Sequence, residues 1–510
     1  MLKIDHLTLT HKKDLTTLIA DLSLTLRPGE RMALIGEEGN GKSTLLRLIA
    51  GDEAVRGYVE AEGSVLLTDS AGYLPQELPE AERPLSAYDF FCLCPSFFDQ
   101  TPRELGALAA KLSLPADVFY SEQTMAAFSG GERIKLQLAR ILMNRPGVLL
   151  LDEPSNDLDG ETVLWLEGFL NACELPVLFV SHDEELLSGV ATSVLLLERL
   201  RRRQVPRASV HRVDYETFVL ERSAQFAKQE QLSRKEHEEY KQKMARFEEI
   251  RRKVEHDQAA VSRQNPGGGR LLKKKMHTVL AMGRRFEREA EEMTAMPESE
   301  EAIFAKLDCA PLPKTKVVLQ LDLPELSVPG RVLARDLRLT VRAGEKLAIT
   351  GGNGAGKSTL LSVIRRRLEG RADLSVFYMP QDPGDLLDLS KTPVQMLART
   401  GEKEETSRIG VMLGSMKFTA DEMSHPCAGL SGGQKAKLMF LMMAEAHPNV
   451  LLLDEPTRNL SPLSGPVVRG LFAAYPGCII AVSHDRRLIG EVCTRVVRLE
   501  RGALLPAGPI

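Results

Sequence analysis

The stretch Gly36-Glu37-Glu38-Gly39-Asn40-Gly41-Lys42-Ser43 decides the fold of this chain of 510 residues. It follows an apolar, strand-like run and precedes a helix-like run, which is the context that a GxxxxGKS phosphate loop requires. The same pattern returns at Gly351-Gly352-Asn353-Gly354-Ala355-Gly356-Lys357-Ser358. Glycines let backbone N–H groups converge on phosphate oxygens at the positive end of a helix. We therefore predict an α/β chain with two phosphate-binding domains of the P-loop NTPase type.

Further motifs follow each loop in the same order. An SGG tripeptide begins at Ser129 and at Ser431, and a continuously apolar run then ends in Asp152-Glu153 and in Asp454-Glu455. In both halves, 23 residues separate the serine from the aspartate, and 30 separate the aspartate from a Ser-His-Asp. Continuously apolar runs are typical of central strands in a sheet that is covered on both faces. A duplicated series at one spacing predicts a tandem ATPase.

Each motif supplies groups that suit phosphate transfer. We expect Lys42 and Lys357 to reach the β- and γ-phosphates of ATP. The predicted ligands of Mg²⁺ are a hydroxyl and a carboxylate in each half, namely Ser43 with Asp152 and Ser358 with Asp454. The next acid, Glu153 or Glu455, is placed to orient and deprotonate the attacking water, as a general base.

Composition excludes several other classes of protein. The chain is 43% hydrophobic and 27% charged with a net charge of −4, which is ordinary for a globular protein. No apolar run approaches the roughly 18 residues that a membrane span needs. The amino terminus lacks the apolar core of a signal peptide, and the seven cysteines form neither a disulfide nor a metal-binding pattern. We expect a cytoplasmic location.

The motifs together resemble those of the ATP-binding-cassette ATPases. Ser129-Gly130-Gly131-Glu132 and Leu430-Ser431-Gly432-Gly433-Gln434 resemble the signature motif of that family, although the first one opens with Phe128 rather than Leu. The resemblance makes Gln76 and Gln381 the Q-loop glutamines, which also contact Mg²⁺, and makes His182 and His484 the catalytic switch histidines. The D-loops are then Ser155-Asn156-Asp157-Leu158-Asp159 and Thr457-Arg458-Asn459-Leu460-Ser461.

The resemblance also implies that the two cassettes pack head to tail and hold two ATP molecules between them. The signature serine and glycines open a helix, so they form a second anion-binding end for the partner's phosphate loop. Lys42 would then share a nucleotide with Ser431, and Lys357 would share one with Ser129. The predicted ATP-binding residues are Gly36, Gly39, Gly41, Lys42, Ser43, Thr44, Gln76, Ser129, Gly130, Gly131, Gly351, Gly354, Gly356, Lys357, Ser358, Thr359, Gln381, Ser431, Gly432 and Gly433.

A long charged segment separates the two motif sets. Apolar residues at helical spacing mark one stripe at Tyr240, Phe247, Ile250 and Val254, and a second at Leu272, Met276, Val279, Gly283, Phe286, Ala290 and Met293. Asn265-Pro266-Gly267-Gly268-Gly269 should break the helix between them. We therefore predict a first cassette at 1–214, an antiparallel helical hairpin linker at 215–305, and a second cassette at 306–510.

The hairpin linker is strongly basic. Residues 251–288 contain eleven Lys or Arg against three Asp or Glu, and the densest part includes Arg270, Lys273, Lys274 and Lys275. Such a tip suits contact with RNA phosphates, although a solvated helix face that only spaces the cassettes would look alike.

Two cassettes, no membrane segment and a basic hairpin together resemble the ABC-F family of translation factors. Its members bind the ribosomal E-site region and reach toward the P-site tRNA and the peptidyl-transferase centre. The resemblance implies a ribosomal partner, ribosomal RNA or tRNA, and a monomer that pairs its own cassettes. The run through Ser461-Pro462 resembles members that protect ribosomes from antibiotics. The alternatives are a tandem ATPase subunit of a membrane importer, which needs no such hairpin, and a chromosome or DNA-repair ATPase, which would favour long coiled coils or zinc clusters.

Several positions depart from the family pattern. Glu37 and Glu38 place two acids in an anion-binding loop, which requires both side chains to point away from it. Glu132 stands where Gln is usual, and Ser461 stands where the first half has Asp159, so the two sites are expected to differ. Neither half has an aromatic platform for adenine before its phosphate loop, and His11 is expected to be exposed rather than to replace it. The sequence therefore predicts nucleotide hydrolysis more firmly than it predicts a preference for ATP over GTP.

Overall fold

The structure is a computed structural model that describes residues 1–156, 158–199, 205–260, 266–292, 307–310, 312–458 and 460–507. Contacts divide the chain into two compact units. Met1–Tyr215 and Glu300–Ile510 form one unit, and Glu216–Ser299 forms the other. Both predicted cassettes thus lie in a single unit.

The first cassette is built on a mostly parallel sheet in the order β5-β6-β7-β3-β8-β9, in which only β9 runs antiparallel to its neighbour. Every residue of β6, which precedes the predicted catalytic acid, is buried. A separate antiparallel sheet has the order β2-β1-β4. The strands are β1 (Leu2–His11), β2 (Thr17–Leu26), β3 (Arg31–Ile35), β4 (Val59–Leu67), β5 (Ala71–Leu74), β6 (Val148–Asp152), β7 (Val177–Val180), β8 (Ser193–Arg199) and β9 (Val205–His211). The helices are α1 (Lys42–Ile49), α2 (Glu53–Tyr58), α3 (Ala87–Cys92), α4 (Pro95–Phe98), α5 (Pro102–Lys111), α6 (Gly130–Met143), α7 (Gly160–Asn171) and α8 (Glu184–Val190).

The second cassette repeats this plan. Its main sheet has the order β13-β14-β15-β12-β16-β17, with an antiparallel last strand, and β10 pairs with β11 in a separate ladder. The strands are β10 (Val317–Val328), β11 (Arg331–Arg342), β12 (Lys346–Thr350), β13 (Val376–Met379), β14 (Val450–Asp454), β15 (Cys478–Val482), β16 (Arg495–Glu500) and β17 (Ala503–Ala507). The helices are α11 (Lys357–Leu368), α12 (Pro393–Leu397), α13 (Lys403–Ser415), α14 (Ala420–Ser424), α15 (Gly432–Ala446), α16 (Gly465–Ala474) and α17 (Arg486–Val492). The predicted α/β fold with two P-loop domains is confirmed.

Strand order explains where the motifs meet. In each cassette the strand before the phosphate loop lies beside the strand that ends before the Ser-His-Asp, and the strand before the Asp-Glu lies next to that. Parallel strands present their carboxyl ends at one edge of the sheet, where α/β proteins bind ligands. The three motifs of each half are therefore brought to one edge.

The hairpin lies between the two cassettes in the chain and consists of α9 (Tyr215–Ala260) and α10 (Pro266–Glu292). Phe247, Val254 and Val279 form its buried core. The rings of Phe247 and Phe286 meet edge to face with centroids 5.7 Å apart. A Cβ at Gly283 would lie only 3.2 Å from the Phe247 ring, so a larger residue there would crowd this contact.

Parts of the predicted hairpin were wrong. Ile250 and Ala290 are exposed rather than part of the packed stripes. The run Pro266–Gly269 opens α10 rather than lying in the connection, because proline suits the first turn of a helix, where its missing N–H has no partner to lose. Asn265 and Met293 and the side chain of Leu272 lie outside the described residues.

Candidate functional site

The two phosphate loops have the same backbone design. Gly41 and Gly356 cap α1 and α11 with left-handed φ angles of 88° and 100°, which favour glycine. The Lys42 ammonium donates to the carbonyl of Gly36 at 2.8 Å, and Lys357 donates to that of Gly351 at 2.9 Å. Burial lowers the pKa of both lysines, and nearby carboxylates oppose that shift. Each lysine is thus held over the loop, where a phosphate would be bound.

The aspartate that ends β6 is fully partnered. Asp152 accepts hydrogen bonds from the Ser43 hydroxyl at 3.1 Å and from the Tyr73 hydroxyl at 3.2 Å, one on each carboxylate oxygen. Burial raises the pKa of Asp152, and the Ser43 hydrogen bond opposes the shift. Tyr73 has no counterpart among the predicted site residues, because a tyrosine before the Q-loop reads as an ordinary strand residue.

The aspartate that ends β14 lacks a hydrogen bond on one oxygen in the described parts of the chain. Burial raises the pKa of Asp454, Ser358 opposes that shift, and Asp454 Oδ1 is buried without a hydrogen-bond partner among the described residues. Carboxylate and hydroxyl oxygens are the ligands that Mg²⁺ accepts when it also binds phosphate. This orphaned oxygen therefore fits a divalent cation at the second phosphate loop.

The acid after β6 lies in an ionised setting. Glu153 has a left-handed φ of 49°, which turns the chain sharply after the strand. His182 Nε2 lies 3.2 Å from Glu153 Oε1, and the Gln76 amide donates to Oε2 at 3.3 Å. Burial opposes ionisation of Glu153, but hydrogen bonds from His182 and Asn156 outweigh it and lower its pKa to about 2.

The matching acid after β14 lies in the opposite setting. Glu455 has the same φ of 49°, but its Oε1 is buried without a hydrogen-bond partner among the described residues. His484 Nε2 is 3.8 Å away from that oxygen. Burial raises the pKa of Glu455 to about 7, and burial likewise lowers the pKa of His484 to about 4. This carboxyl group thus titrates near neutral pH.

Both signature motifs form capping boxes. The Ser129 hydroxyl accepts from the Glu132 backbone N–H at 3.3 Å, and the Glu132 carboxylate accepts from the Ser129 N–H at 2.9 Å. Ser431 and Gln434 repeat both bonds at 3.3 and 2.8 Å. The unusual Glu132 is therefore explained, since its carboxylate accepts the same hydrogen bond that a glutamine carbonyl would accept. The glycines that follow each serine, Gly130-Gly131 and Gly432-Gly433, therefore lie in the first turn of the helix.

The structure brings motifs of opposite cassettes together. A cavity of about 680 Å³ is lined by Lys357, Asp454 and His484 from one cassette and by Gly130 and Gly160 from the other. Ser358, Thr359, Gln381, Glu455, Gly354 and Gly356 line the same cavity. We call this the second composite site. The first composite site consists of Lys42, the Glu153 carboxylate and the Ser431–Gly433 helix end.

At the first composite site, acids of the phosphate loop reach across to the other cassette. Glu38 Oε2 accepts a hydrogen bond from the Gly433 backbone N–H at 3.0 Å. Glu37 pairs with Lys437, and both of these side chains are buried. Both acids reach across to the opposite cassette, and sequence reasoning missed this target. The only signal was their presence in an anion-binding loop.

Ion pairs also join the cassettes, and two of their members, Glu184 and Arg486, line the second composite site. Arg469 is almost fully buried and grips the Glu184 carboxylate with both terminal nitrogens. Arg487 reaches the same carboxylate at 3.2 Å, and Arg486 pairs with Glu185 at 2.8 Å. The His182 Nδ1 atom also hydrogen-bonds the carbonyl of Leu460 in the opposite D-loop. None of these interface arginines belongs to a motif, so no sequence signal marked them.

Asp159 of the first D-loop and His11 of β1 both make polar contacts. Asp159 caps α7 by accepting from the Thr162 N–H. Its partial burial acts to raise its pKa, but the hydrogen bonds from Thr162, followed by the charges of His484 and Lys357, hold the pKa below its usual value. Asp157 and Asn459 lie outside the described residues. The exposed state predicted for His11 was wrong, because its side chain is partly buried, pairs with Asp14 at 2.9 Å and packs near Tyr58.

At the second composite site, Val328, Arg331 and Leu333 line the cavity on the side of β10 and β11, where no aromatic residue is available. In the hairpin, Lys273, Lys274 and Lys275 are exposed. The side chain of Arg270 lies outside the described residues. No helix in the described part of the chain is both long enough and apolar enough to span a membrane. Across the same residues, no group of three or more His, Cys, Asp or Glu is arranged to hold a metal ion by itself.

Comparisons with known proteins agree with this geometry. A family model described as ABC transporter matches residues 19–156 and 334–458, together just over half of the chain. ATP-binding cassette sub-family F member 3 of Homo sapiens is 29% identical, over 96% of this chain and 70% of that protein. The probable ATP-binding protein YheS of Escherichia coli K12 is 26% identical, over 94% of this chain and 76% of that protein.

Among solved structures, the archaeal ribosome recycling factor in complex with the ribosomal stalk protein aP1 is similar, with a TM-score of 0.58 and 16% identity. The match covers 98% of this chain and 89% of that chain. The RNase-L inhibitor has a TM-score of 0.56 at 15% identity, over 98% and 90% of the two chains. At these identities the likeness concerns the fold alone.

Proposed function

The chain belongs to the ABC transporter family, with the ABC-F proteins as its relatives, and is an ATPase; on that premise we propose that it binds the ribosome near the E site and modulates translation. Closing and opening of the two cassettes around ATP would drive this action. The observation that carries the proposal is the second composite site, where one cavity joins the phosphate loop and acids of one cassette to the signature helix of the other.

The chemistry that we propose for this site rests on few groups. Bound Mg²⁺, held by Ser358 and Asp454 with help from Gln381, would neutralise phosphate charge. Lys357 would bind the β- and γ-phosphates, and the N-terminus of the signature helix would stabilise the charge on the transferred phosphoryl group. Glu455 would take a proton from the attacking water, because a base whose pKa lies near 7 is effective at neutral pH.

The hairpin supports a nucleic-acid partner. Its three consecutive lysines, Lys273, Lys274 and Lys275, are exposed in a segment with an excess of eight positive charges. Phosphate contacts of this kind give affinity without sequence recognition, which suits ribosomal RNA or P-site tRNA. An archaeal factor of the same fold is described as a ribosome recycling factor.

We include three further points in the proposal. The protein is cytoplasmic, it is a monomer that pairs its own two cassettes, and protection of the ribosome from an antibiotic is one form of the modulation.

Ribosome co-sedimentation tests the proposal. The double variant Glu153→Gln/Glu455→Gln should bind ATP without hydrolysing it, and should therefore stay on ribosomes in ATP but not in ADP. It should also inhibit translation in a purified system. A double variant that remains free of ribosomes in ATP would contradict the proposal and favour a tandem importer ATPase.

The hairpin has a matched test. Replacing Lys273, Lys274 and Lys275 by Ala should weaken co-sedimentation while leaving nucleotide binding intact. The control replaces three exposed lysines of α9, namely Lys228, Lys235 and Lys241, and should have a smaller effect. Equal effects of the two triple variants would show that general charge, rather than the basic tip, governs binding.

A further inference from the structure

The two phosphate loops differ at two positions that face the opposite cassette. The first loop has Glu37 and Glu38, where the second has Gly352 and Asn353. These paired positions let the chain act as its own comparison, because both loops end in the same left-handed glycine cap. A third difference, Asn40 in place of Ala355, concerns a contact within the first cassette, since the Asn40 amide donates to the Leu197 carbonyl.

Glu38 occupies the helix end that a terminal phosphate would use. Its Oε2 accepts from the Gly433 N–H at 3.0 Å, and a Cβ at Gly432 would come within 3.0 Å of both carboxylate oxygens. The carboxylate therefore lies against the first turn of the 15-residue helix α15, whose N–H groups and dipole favour an anion.

The neighbouring acid fixes this arrangement. The buried pair between Glu37 and Lys437 ties the same loop to the same helix, one turn further along. Removing one member of a buried ion pair would leave an uncompensated buried charge, so Glu37 and Lys437 must stay together while the loop and the helix are in contact. Glu38 is thus positioned from both sides of the interface.

Charge distinguishes the two composite sites further. Burial lowers the pKa of Lys42, and the charges of Glu153, Glu38, Asp152 and Glu37 oppose the shift. Burial also lowers the pKa of Lys357, and there the opposing charges are those of Glu455, Asp454 and Asp159. A triphosphate carries more negative charge than a diphosphate, and its extra phosphate is the group that must reach the opposite signature helix.

We infer that the first composite site takes a nucleoside diphosphate in preference to a triphosphate, with the Glu38 carboxylate in the place of the terminal phosphate. The inference rests on the proposed head-to-tail use of the two sites. A diphosphate reaches Lys42 without displacing Glu38, whereas a triphosphate must break the Glu38–Gly433 hydrogen bond. The first site then holds a product-like nucleotide while the second site turns over.

The test isolates each site in the full-length chain. Lys357→Ala disables the second site, and titration with fluorescent ADP and with a fluorescent, non-hydrolysable ATP analogue then reports the first. ADP should bind about tenfold more tightly than the analogue. Adding Glu38→Asn, which copies the second loop, or Glu38→Gln should bring the two affinities close together, mainly by strengthening binding of the analogue.

The reciprocal change is the control. In a Lys42→Ala protein, which retains the second site, Asn353→Glu should weaken binding of the analogue relative to ADP by about tenfold. Equal affinities in the Lys357→Ala protein, a preference that survives both Glu38 variants, or no nucleotide binding to that protein would each overturn the inference. The titrations contain no ribosomes, so their failure and a failure of ribosome co-sedimentation are separate results.

Discussion

The first and second composite sites are made from the same motifs at the same spacing, and their acids occupy the same strained backbone position. Their surroundings differ. At the first site, His182 and Gln76 contact Glu153, and both oxygens of Asp152 are hydrogen-bonded. At the second site, the equivalent acids each keep one buried oxygen without a partner in the described parts of the chain. The difference teaches that motif identity does not set the protonation state of a catalytic acid.

The consequence is a division of labour between the sites. A carboxylate with a pKa near 2 is a weak base, whereas one with a pKa near 7 can accept a proton from water and release it again at neutral pH. We therefore expect ATP turnover to arise at the second site, and the experiments below test that asymmetry.

The largest expected effect comes from removing the second base. Glu455→Gln should lower steady-state ATP turnover by about 100-fold or more, because general-base catalysis is worth that much. Glu153→Gln, the matched control, should lower turnover by no more than about twofold, since its carboxylate is held by hydrogen bonds from His182 and Asn156 and is a poor base. Phosphate release measured without ribosomes gives both numbers. Losses of similar size would show that the sites are equivalent.

The next largest effect is expected from the Arg469–Glu184 ion pair, which joins the two cassettes. Arg469→Leu leaves Glu184 with only part of its pairing, and should reduce the stability of the cassette unit by about 3 kcal/mol. Both sites should lose nucleotide affinity together. Glu491→Gln removes the exposed partner of Arg469 within its own cassette and should cost less than about 1 kcal/mol. Urea midpoints of the two variants check this, and a larger effect of Glu491→Gln would place the stabilising pair inside one cassette.

A smaller effect should appear in the pH profile. Since Glu455 must be ionised to act as a base and its pKa is about 7, turnover should increase with pH. Its ionised fraction goes from about 0.09 at pH 6 to about 0.91 at pH 8, a roughly tenfold gain. Glu153 is already ionised throughout this range and adds no slope. A flat wild-type profile between these values would assign the base elsewhere, and the residual activity of Glu455→Gln should be flat.

The smallest effect is expected at the first signature motif. Glu132→Gln keeps an oxygen that can accept from the Ser129 N–H, so turnover should change by less than about twofold. Ser129→Ala removes the cap and should destabilise the helix by about 1 kcal/mol, with a clear loss of turnover at the second site. If Glu132→Gln were as harmful as Ser129→Ala, the charge of Glu132 would have a role beyond capping.

Much of this molecule could be predicted from its sequence, because local rules govern those parts. The P-loop strands, the capped signature helices and the hairpin core at Phe247 and Val279 follow from spacing and periodicity. The ion pairs of Arg469 and Lys437 could not be predicted, since each joins residues hundreds of positions apart and neither Arg469 nor Lys437 belongs to a motif. The different pKa values of Glu153 and Glu455 also escape the sequence, because they depend on how near each histidine lies and how completely each carboxylate is buried.

The buried arginine cluster has a consequence for how the cassettes separate. An apolar interface would resist opening over its whole area, since each exposed patch gains nothing from water. Glu184, Arg469 and Arg487 instead recover hydration when they part, which offsets most of their lost attraction. Dissolved salt screens the freed charges further. Such an interface can open and close reversibly, and its strength can be changed by ionic strength as well as by nucleotide.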